Sequence, residues 1–236
     1  MDPAGHLWDL KNIARARRLV DWTAQQVLPY AHGDVAELGA GIGTYTERLL
    51  DEADVRSLLV VEPEPDCVEE LRRRFGDHAA VQIAQEDLPD APSLHARAGH
   101  LDAIVNQNVI EHLDDDKAAL AAMARALRPG GVLTIQVPAN PRLYGSLDRV
   151  YGHRRRYTKA GLRELLEGSG LEVMRIKAFN LLGVVGWVLN RWREAPRLSP
   201  RALAAYELLL RIWRPVEDRL PLPWGLNWVA YARRPG

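Results

Sequence analysis

The chain has 236 residues, and hydrophobic residues make up 47% of them, which is enough to bury a sizeable core and excludes a mainly disordered protein. Lys plus Arg and Asp plus Glu are equal at 31 each, so no overall field attracts a nucleic acid. The single cysteine, Cys67, excludes an internal disulfide and a zinc–cysteine cluster. The N-terminus also lacks the long apolar core of a secretory signal, and the composition therefore predicts a cytoplasmic protein.

The first part of the chain alternates strand-like apolar runs with helical segments. Residues 7–28 predict one or two amphipathic helices, which would form an N-terminal helical cover over residues 1–31. The strands predicted next cover residues 34–38, 58–61, 79–84, 101–106 and 132–137. The helices predicted between them begin at Thr44, where Thr44 and Glu47 have the spacing of a capping box, at Pro63 and at Asp114. This alternation implies a parallel sheet with helices on both faces and ligands beyond the carboxyl ends of its strands.

The pattern loosens after residue 137 and changes near the C-terminus. A helix is predicted over residues 158–167, a strand over 171–179 and a last strand over 227–232. Residues 180–225 hold two helical segments, 181–192 and 202–213, separated by Pro196 and Pro200. This insertion is too long for an ordinary loop, and we interpret it as a helical lid within a single domain of residues 1–236.

The lid contains the longest apolar run, residues 181–189, which is too short to span a membrane. Because Arg191, Trp192 and Arg193 follow it, the run could lie at a membrane interface, which would make a peripheral membrane contact. The favoured interpretation is a helix that covers a substrate cavity.

A glycine-rich turn follows the first predicted strand, in the stretch Glu37-Leu38-Gly39-Ala40-Gly41-Ile42-Gly43, and the second strand ends at Glu62. The glycines let the backbone approach a ligand, and the distal carboxylate can accept two hydrogen bonds from ribose hydroxyls. Thr44 stands where a dinucleotide fingerprint has its third glycine, which disfavours a pyrophosphate cradle. Glu37 can meet an ammonium group or hold the glycine turn. The pattern therefore predicts a nucleoside site.

Five motifs in this order resemble those of the class I S-adenosylmethionine-dependent methyltransferases. They are Glu37 to Gly43, Glu62, Glu86-Asp87-Leu88, Asn106 to Leu113 and Leu127 to Gly131. The resemblance implies a Rossmann-like, doubly wound, seven-stranded and mostly parallel α/β sheet with an antiparallel last strand. It implies S-adenosyl-L-methionine as cofactor and S-adenosyl-L-homocysteine as product. The residues implied to bind the cofactor are Glu37, Gly39, Ala40, Gly41, Gly43, Glu62, Pro63, Glu86, Asp87, Leu88, Asn106 and Asn108.

Two of these carboxylates have alternative interpretations. Glu62 contacts the ribose in the implied site, but it could also be only an acid near the start of the following helix. Asp87 would accept a hydrogen bond from the adenine amino group, but it could also be a plain turn residue.

The motif after the fourth strand contains Glu111 and His112, which we predict to be the catalytic residues. A histidine can act as a general base toward a hydroxyl or an amine at neutral pH. The alternative is that His112 only packs near the next helix. We predict no metal, because similar metal-dependent enzymes have a glutamate where this chain has Asn108, and His153 could complete a site only if its loop folds back.

Residues 143–158 lie where this fold builds acceptor pockets, and they combine aromatic rings, a histidine and a row of arginines. The stretch is similar to one in bacterial small-molecule methyltransferases, some of which are associated with sugar or polyprenyl-linked glycan assembly. The predicted substrate-binding residues are Tyr144, His153, Arg154, Arg156, Tyr157 and Trp187. We interpret Arg155 as a solvated side chain that points outward. Tryptophans 187, 192, 213, 224 and 228 suggest an apolar pocket or an oligomer face, which is compatible with a homodimer, although packing in the core is the default interpretation.

The sequence thus predicts the transfer of a methyl group to an oxygen or nitrogen atom of a small molecule, such as a natural product, a sugar or a lipid-linked intermediate. Oxygen is favoured because of His112. One alternative is a non-catalytic cofactor-binding or regulatory module. Another is an RNA methyltransferase, motivated by Arg154 to Arg156, although the balanced charge argues against a nucleic-acid partner.

Overall fold

Seven strands form one sheet in a computed structural model of the protein, which describes residues 3–192, 199–220 and 222–236, apart from the side chains of 3–6, 191 and 192. The strands are β1 Gly33–Leu38, β2 Val55–Val61, β3 Val81–Ala84, β4 Leu101–Gln107, β5 Leu127–Pro138, β6 Glu172–Phe179 and β7 Asn227–Arg233. Their spatial order is β3-β2-β1-β4-β5-β7-β6, and β7 runs antiparallel to both of its neighbours. The predicted Rossmann-like sheet with an antiparallel last strand is confirmed.

Ten α-helices connect or flank these strands in the described part of the chain. They are α1 Pro3–Ala14, α2 Arg17–Val27, α3 Thr44–Glu52, α4 Pro65–Phe75, α5 Pro92–His95, α6 Asp116–Ala126, α7 Ser146–Val150, α8 Lys159–Gly168, α9 Leu181–Trp192 and α10 Pro200–Glu217. The short helices α5 and α7 were not predicted. Pro196 and Arg193, which belong to the predicted lid, lie outside the described residues. No described helix is long and apolar enough to cross a membrane.

The sheet is buried on both faces, as the continuous apolar runs of its inner strands require. On one face α6 and α8 contribute Leu120 and Leu162 to a cluster that includes Ile104 of β4. On the other face α3 and α4 contribute Leu49 and Leu71. The two clusters hold the central strands in place, so their carboxyl ends form a fixed edge.

A third apolar cluster lies at the β7 side of the sheet and connects α2 with α10, the last helix. Trp22 of α2 packs at 1% exposure with Leu210 of α10, and its ring lies 4.4 Å from that of Phe179. The indole Nε1 of Trp22 donates a hydrogen bond to Asp218 Oδ1 at 2.7 Å. Helix α10 therefore packs against α2, while the boundaries of the N-terminal cover and of the lid stay predictions.

Parallel strands β1, β2 and β4 end in register, which places the residues after them side by side. Leu38 of β1 pairs with Val61 of β2 and with Asn106 of β4. Gln107 of β4 pairs in turn with Gln136 of β5. The glycine turn, the acid after β2 and the motif after β4 therefore meet at one edge of the sheet.

Candidate functional site

The glycine turn between β1 and α3 has an unusual backbone. Gly39, Gly41 and Gly43 have φ angles of 75°, 57° and 79°, which belong to the left-handed region. The backbone N–H groups of Gly39 and Ala40 both donate to the carbonyl of Val61, at 2.8 and 3.3 Å. The turn is thereby fixed to the end of β2.

The predicted capping box at Thr44 is wrong. Gly43 is the residue that precedes α3, and no side chain caps the helix there. The helix begins at Thr44, so Thr44 is its first residue and not the capping residue before it. The carboxylate of Glu47 pairs instead with Arg74, at 3.0 Å.

Space around the turn allows glycine alone at two positions. A Cβ on Gly39 would lie 2.3 Å from Val109 Cγ2, and one on Gly43 would lie 2.5 Å from Phe75 Cε2. Gly99 has a similar φ of 75°, but a Cβ there would meet nothing within 4 Å. It offers a control for backbone strain without a clash.

We expect Gly39→Ala to lower the free energy of unfolding by roughly 3 kcal/mol and Gly99→Ala by only about 1 kcal/mol. Both variants place an alanine in the left-handed region, and only the first forces a Cβ into Val109. Urea unfolding of the two variants beside the wild type measures the difference. Equal losses would mean that close packing at Gly39 does not matter.

Glu62 follows β2 and lies beside the glycine turn. It is 5% exposed. Its Oε2 accepts a hydrogen bond from the N–H of Gly41 at 2.7 Å, and its Oε1 accepts one from the N–H of Glu64 at 3.1 Å. Burial raises the pKa of Glu62, although these two N–H groups act against the shift. Each carboxylate oxygen can accept a second hydrogen bond, so Glu62 can hold the turn and still contact a ligand.

Glu37 lies inside the protein behind the turn. It is 3% exposed, and its Oε2 accepts a hydrogen bond from the hydroxyl of Thr46 at 2.5 Å. Burial raises the pKa of Glu37 to about 8, in spite of that hydrogen bond. The contact joins β1 to α3, which suits the interpretation of Glu37 as a residue that holds the glycine turn.

The raised pKa of Glu37 predicts how stability changes with pH. Its folded-state pKa lies above the ordinary value of 4.5 for a glutamate, so the folded state binds more protons than the unfolded state between pH 4.5 and about 8. We expect the free energy of unfolding to fall as pH rises through that range. Glu37→Gln can still accept from Thr46 but cannot ionise, and it should flatten the fall by on the order of 5 kcal/mol.

Urea unfolding at pH values across this range, with Asp51→Asn as an exposed control on α3, measures the effect. If Glu37→Gln keeps the slope of the wild type, the buried carboxyl is not its source. Burial also raises the pKa of Glu111 to about 8, so Glu111 would lower the free energy of unfolding over the same pH range.

The segment after β3 contains the predicted residues Glu86, Asp87 and Leu88. Glu86 Oε2 accepts hydrogen bonds from the N–H and hydroxyl of Ser93, at 3.0 and 2.5 Å, and so holds the start of α5. Leu88 is buried in the core. Asp87 is exposed, and its charge is near enough to raise the pKa of Glu62 further. Pro63 is exposed beside Glu62.

The ends of β4 and β5 carry buried amide atoms that have no hydrogen-bond partner among the described residues. Asn106 is fully buried; its Nδ2 donates to the carbonyl of Leu38 at 3.3 Å, while its Oδ1 has no hydrogen-bond partner among the described residues. Neither amide atom of Gln107 has one either, nor does Oε1 of Gln136. Buried polar atoms are normally paired, so these atoms fit a polar ligand at the strand ends. Sequence reasoning missed the two glutamines, although a polar residue that ends a buried strand was a usable signal.

Asn108 shapes the backbone just after this strand. Its φ is 54°, and its Oδ1 accepts a hydrogen bond from Asn227 Nδ2 at 3.2 Å. Its N–H donates to the carbonyl of Gln136 at 2.8 Å. Asn108 thus connects the ends of β4, β5 and β7.

Glu111 is a buried carboxyl with no hydrogen-bond partner for either oxygen among the described residues. It lies in a short 3₁₀ helix, Ile110–His112, that follows β4. Burial raises the pKa of Glu111 to about 8, and the charge of Arg156 only partly offsets this. An unpaired acid in this position is typical of a functional site.

The loop after β5 folds back and brings His153 to Glu111. The N–H of Arg154 donates to the carbonyl of Glu111 at 2.8 Å and fixes the return. His153 Nε2 then lies 3.9 Å from Glu111 Oε1. The ring of His153 meets that of His112 edge-on, with 4.9 Å between centroids. Glu111, His112 and His153, which we call the acceptor-side cluster, therefore come together as three titratable groups.

Asp148, in α7, orients His153, and sequence reasoning did not single it out. Its Oδ1 lies 2.9 Å from His153 Nδ1, and its Oδ2 accepts from the N–H of Gly145 at 2.8 Å. Although burial alone would raise it, the pKa of Asp148 is lowered by the hydrogen bond to His153 and the charge of Arg156. An ionised Asp148 favours a proton on Nδ1 of His153 and leaves Nε2 free to accept one.

The predicted acceptor-binding side chains mostly bond to the protein itself. Arg156 Nε donates to Asp148 Oδ1 at 2.8 Å, and its guanidinium lies 4.5 Å from the centre of the Trp187 ring. Tyr144 donates its hydroxyl proton to the carbonyl of His153 at 2.8 Å. These contacts hold the loop that carries His153 in place. Direct contact of these residues with a substrate stays a prediction.

The neighbouring side chains of the loop are also anchored. Tyr157 donates to Asp116 Oδ2 at 2.8 Å, and Arg154 Nε donates to the carbonyl of His112 at 2.7 Å. The interpretation of Arg155 as solvated and outward is wrong, because its Nη1 lies 2.9 Å from Asp116 Oδ2. The row of arginines thus ties the loop to the segment after β4.

The acceptor-side cluster is also a group that could hold a metal, because its ligand atoms lie within 4.8 Å of one another. The loop does fold back far enough to add His153. Two imidazoles and one carboxylate suit a transition metal better than magnesium. The positive charge of Arg156, which acts on Glu111, opposes a second cation there. The absence of a metal stays a prediction.

Comparisons with known proteins identify the family of this chain. A family model described as a methyltransferase domain matches residues 12–176. A probable S-adenosylmethionine-dependent methyltransferase of Mycolicibacterium smegmatis is 33% identical, over 59% of this chain and 52% of that protein. A trans-aconitate 2-methyltransferase of Methylobacterium nodulans is 28% identical, over 52% of each. The chain thus spans about half the length of these curated relatives.

A structure with the same fold is a chain from the complex between the Haloferax volcanii Trm112 methyltransferase activator and a methyltransferase. The match has a TM-score of 0.70 and 17% identity, and it covers 100% of this chain and 98% of that one. At this identity the likeness concerns the fold.

Proposed function

This chain belongs to the methyltransferase-domain family of S-adenosylmethionine-dependent enzymes, and from that membership we propose that it transfers a methyl group to an oxygen or nitrogen atom of a small molecule. The observation that carries the proposal is the acceptor-side cluster, which lies at the same sheet edge as the glycine turn. A methyl donor at the turn and a proton acceptor next to it are the two elements that such a transfer needs.

The residues at the strand ends fit the cofactor. Backbone at Gly39 and Gly41 would hold its methionine part, Glu62 its ribose hydroxyls and Asp87 its adenine amino group. The unpaired oxygen of Asn106 and the amide of Gln107 offer further polar contacts. When bound, S-adenosylmethionine supplies an electrophilic methyl group on a sulfonium.

We assign the proton acceptor to His153, with Asp148 as the residue that orients it. Asp148 holds Nδ1 of His153 at 2.9 Å, which leaves Nε2 free to take the proton of an alcohol. His112 packs edge-on against His153 and would therefore also lie near the acceptor, so both histidines keep a role in the proposal. Glu111 can take up or release a proton near neutral pH, because its pKa is about 8.

Several contacts favour a small molecule over RNA. Arg154 donates a hydrogen bond to the carbonyl of His112, and Arg156 donates to Asp148 and to the carbonyl of Ala139. Fewer of their N–H groups are therefore available to bind the phosphates of an RNA. The trans-aconitate methyltransferase among the relatives supports a small acceptor. An oxygen acceptor is favoured, because an alcohol needs the base that the cluster provides.

Calorimetry with S-adenosylmethionine and S-adenosylhomocysteine tests the cofactor, and transfer of labelled methyl to a panel of carboxylic acids, phenols, sugars and amines tests the reaction. We expect a dissociation constant for the cofactor that is roughly micromolar. We also expect methyl transfer to at least one class of acceptor. Failure to bind either ligand would overturn the proposal. Tight binding without turnover on any class would favour the non-catalytic module, and salt-sensitive RNA binding would favour the RNA methyltransferase.

A further inference from the structure

Two glutamines at the carboxyl ends of β4 and β5 carry buried amide atoms that have no hydrogen-bond partner among the described residues. Both Oε1 and Nε2 of Gln107 are in this state, and so is Oε1 of Gln136. Gln136 is only 6% exposed. Burying a polar atom without a partner costs free energy, so a protein that keeps three such atoms at the edge of its site calls for an explanation.

The two glutamines lie side by side on one face of the sheet. Gln107 pairs with Gln136 in the parallel register of β4 and β5, and neighbouring strands are about 4.8 Å apart. Residues two positions apart in a strand share a face, so Gln107 lies on the face of Val105, which is the face that α3 and α4 cover. We call Gln107 and Gln136 the amide pair.

Asn106, whose Oδ1 is also unpaired, lies on the opposite face. It follows Ile104 by two residues, and Ile104 belongs to the cluster that α6 and α8 cover. Its Nδ2 donates to the carbonyl of Leu38 at the end of β1, just before the glycine turn. Asn106 is thus placed toward the cofactor side and is not part of the amide pair.

The amide pair is placed toward the methyl acceptor. Strand β5 is three strands away from β2, so Gln136 lies roughly 14 Å along the sheet edge from the strand that ends beside Glu62. The N–H of Asn108 donates to the carbonyl of Gln136 at 2.8 Å, and Glu111 follows three residues later. The loop that carries His153 begins at the end of β5. The amide pair and the acceptor-side cluster therefore share one end of the site.

The unpaired atoms define the ligand that the amide pair can bind. Two of them are carbonyl oxygens, which need donors, and the third is Nε2 of Gln107, which needs an acceptor. Exchanging the oxygen and nitrogen of the Gln107 amide leaves this set unchanged. A carboxylate only accepts and would be repelled by the two oxygens, while an ammonium only donates and would be repelled by the N–H groups of Nε2. A hydroxyl group both donates and accepts, so two neighbouring hydroxyls satisfy all three atoms.

We propose that the amide pair binds two neighbouring hydroxyl groups of the methyl acceptor, which is therefore a neutral, polyhydroxylated molecule. One hydroxyl would donate to Oε1 of Gln107 and accept from its Nε2, and the other would donate to Oε1 of Gln136. The oxygen that is methylated would be a further hydroxyl of the same molecule, at the acceptor-side cluster. The inference rests on the proposed function, but the binding of the two hydroxyls is measurable without turnover.

Calorimetry with the full chain, in the presence and absence of S-adenosylhomocysteine, tests the inference. The probes with neighbouring hydroxyls are methyl glucoside, on an aliphatic ring, and catechol, on an aromatic one. Cyclohexanol and phenol are their counterparts with a single hydroxyl, and benzoate supplies a carboxylate. We expect at least one diol to bind about tenfold more tightly than its counterpart and than benzoate. The diol that binds better identifies the acceptor as sugar-like or phenolic.

Leucine variants of the amide pair separate a binding role from a structural one. Gln136→Leu and Gln107→Leu should each weaken diol binding about tenfold and leave the single-hydroxyl probes within about twofold. Because leucine has a similar size and no unpaired polar atom, both variants should raise the Tm of the ligand-free protein by about 3 °C. A glutamine that only holds the fold would lower Tm instead.

Gln82→Leu is the matched control for these variants. Gln82 is an exposed glutamine on β3 that accepts a hydrogen bond from Arg97 at 2.7 Å, and its loss should not change diol affinity. Gln136→Met, which also removes the amide at similar length, carries the test if Gln136→Leu does not fold.

Three results would overturn the inference. One is equal affinity of the wild type for the diols and for their single-hydroxyl counterparts, or no binding of any probe. Another is unchanged diol affinity in the leucine variants, which would mean that the amides bind only water. The third is a loss of S-adenosylhomocysteine binding in Gln107→Leu, which would assign Gln107 to the cofactor. Diol binding without methyl transfer to any acceptor would overturn the proposed function alone, since the amide pair would still bind as inferred.

Discussion

Replacing His153 by alanine is expected to lower kcat about a hundredfold or more while leaving the affinity for S-adenosylmethionine within about twofold. The imidazole is the group that we assign to accept the proton. Its Nε2 lies 3.9 Å from Glu111 Oε1, and it belongs to the loop after β5 rather than to the glycine turn. Steady-state rates with the acceptor class that turns over, together with calorimetry of the cofactor, separate the two effects. His100→Ala is the matched control, because His100 is an exposed histidine at the opposite end of β4.

Asp148→Asn probes how His153 is oriented. The carboxylate holds Nδ1 of His153 at 2.9 Å, and an amide in its place can offer an N–H group to that nitrogen and favour the other tautomer. We expect kcat to fall about tenfold to a hundredfold and the pH profile of kcat to change. Long-range proton–nitrogen NMR correlations of the His153 ring report the tautomer directly. A merely structural role for Asp148 would lower stability without moving that signal.

Retention of most of kcat in His153→Ala would contradict the assignment. His112→Ala should then be the more damaging change, which would return the role of base to the residue that the sequence predicted. If both variants keep full activity, the acceptor needs no base, as a neutral amine would not. A loss of cofactor binding in His153→Ala would instead mean that the loop supports the glycine turn.

Local patterns were sufficient to predict the alternation of strands and helices. The inner strands are buried on both faces, and their apolar runs show this directly, as at Leu58 to Val61. Helix α7 was missed because it is short and lies among Pro141 and Gly145. It depends on Asp148, whose carboxylate accepts from the N–H of Gly145 and pairs with Arg156 far along the loop. No local periodicity reports a contact of that kind.

The difference between local patterns and long-range contacts also applies to the two halves of the site. The glycine turn and Glu62 could be predicted as neighbours because parallel strands end at a common edge, and they are bonded at 2.7 Å. The approach of His153 to Glu111 could not, since it depends on how a loop returns. That return rests on the hydrogen bond from Arg154 to Glu111 and on the bridge between Ala139 and Tyr157. The predicted arginines proved to be its anchors.

Glu62→Ala is expected to weaken S-adenosylhomocysteine binding about a hundredfold. Two hydrogen bonds from ribose hydroxyls to a buried carboxylate would each contribute about 1.5 kcal/mol. Calorimetry measures the loss, and Glu64→Gln, an exposed acid two residues further along, serves as the control and should bind normally. Thermal unfolding checks that the variant keeps its fold.

Glu62 also holds the N–H of Gly41, so a loss of affinity alone does not prove a ribose contact. Comparing adenosine with 2′,3′-dideoxyadenosine resolves the two roles, because only the first ligand has hydroxyls to donate. The wild type should prefer adenosine by about tenfold or more, and Glu62→Ala should bind both ligands equally weakly. If the variant keeps the preference, Glu62 acts through the glycine turn, and the ribose must be held by another group at the strand ends. The unpaired Oδ1 of Asn106 and the unpaired amide of Gln107 are the candidates at the end of β4.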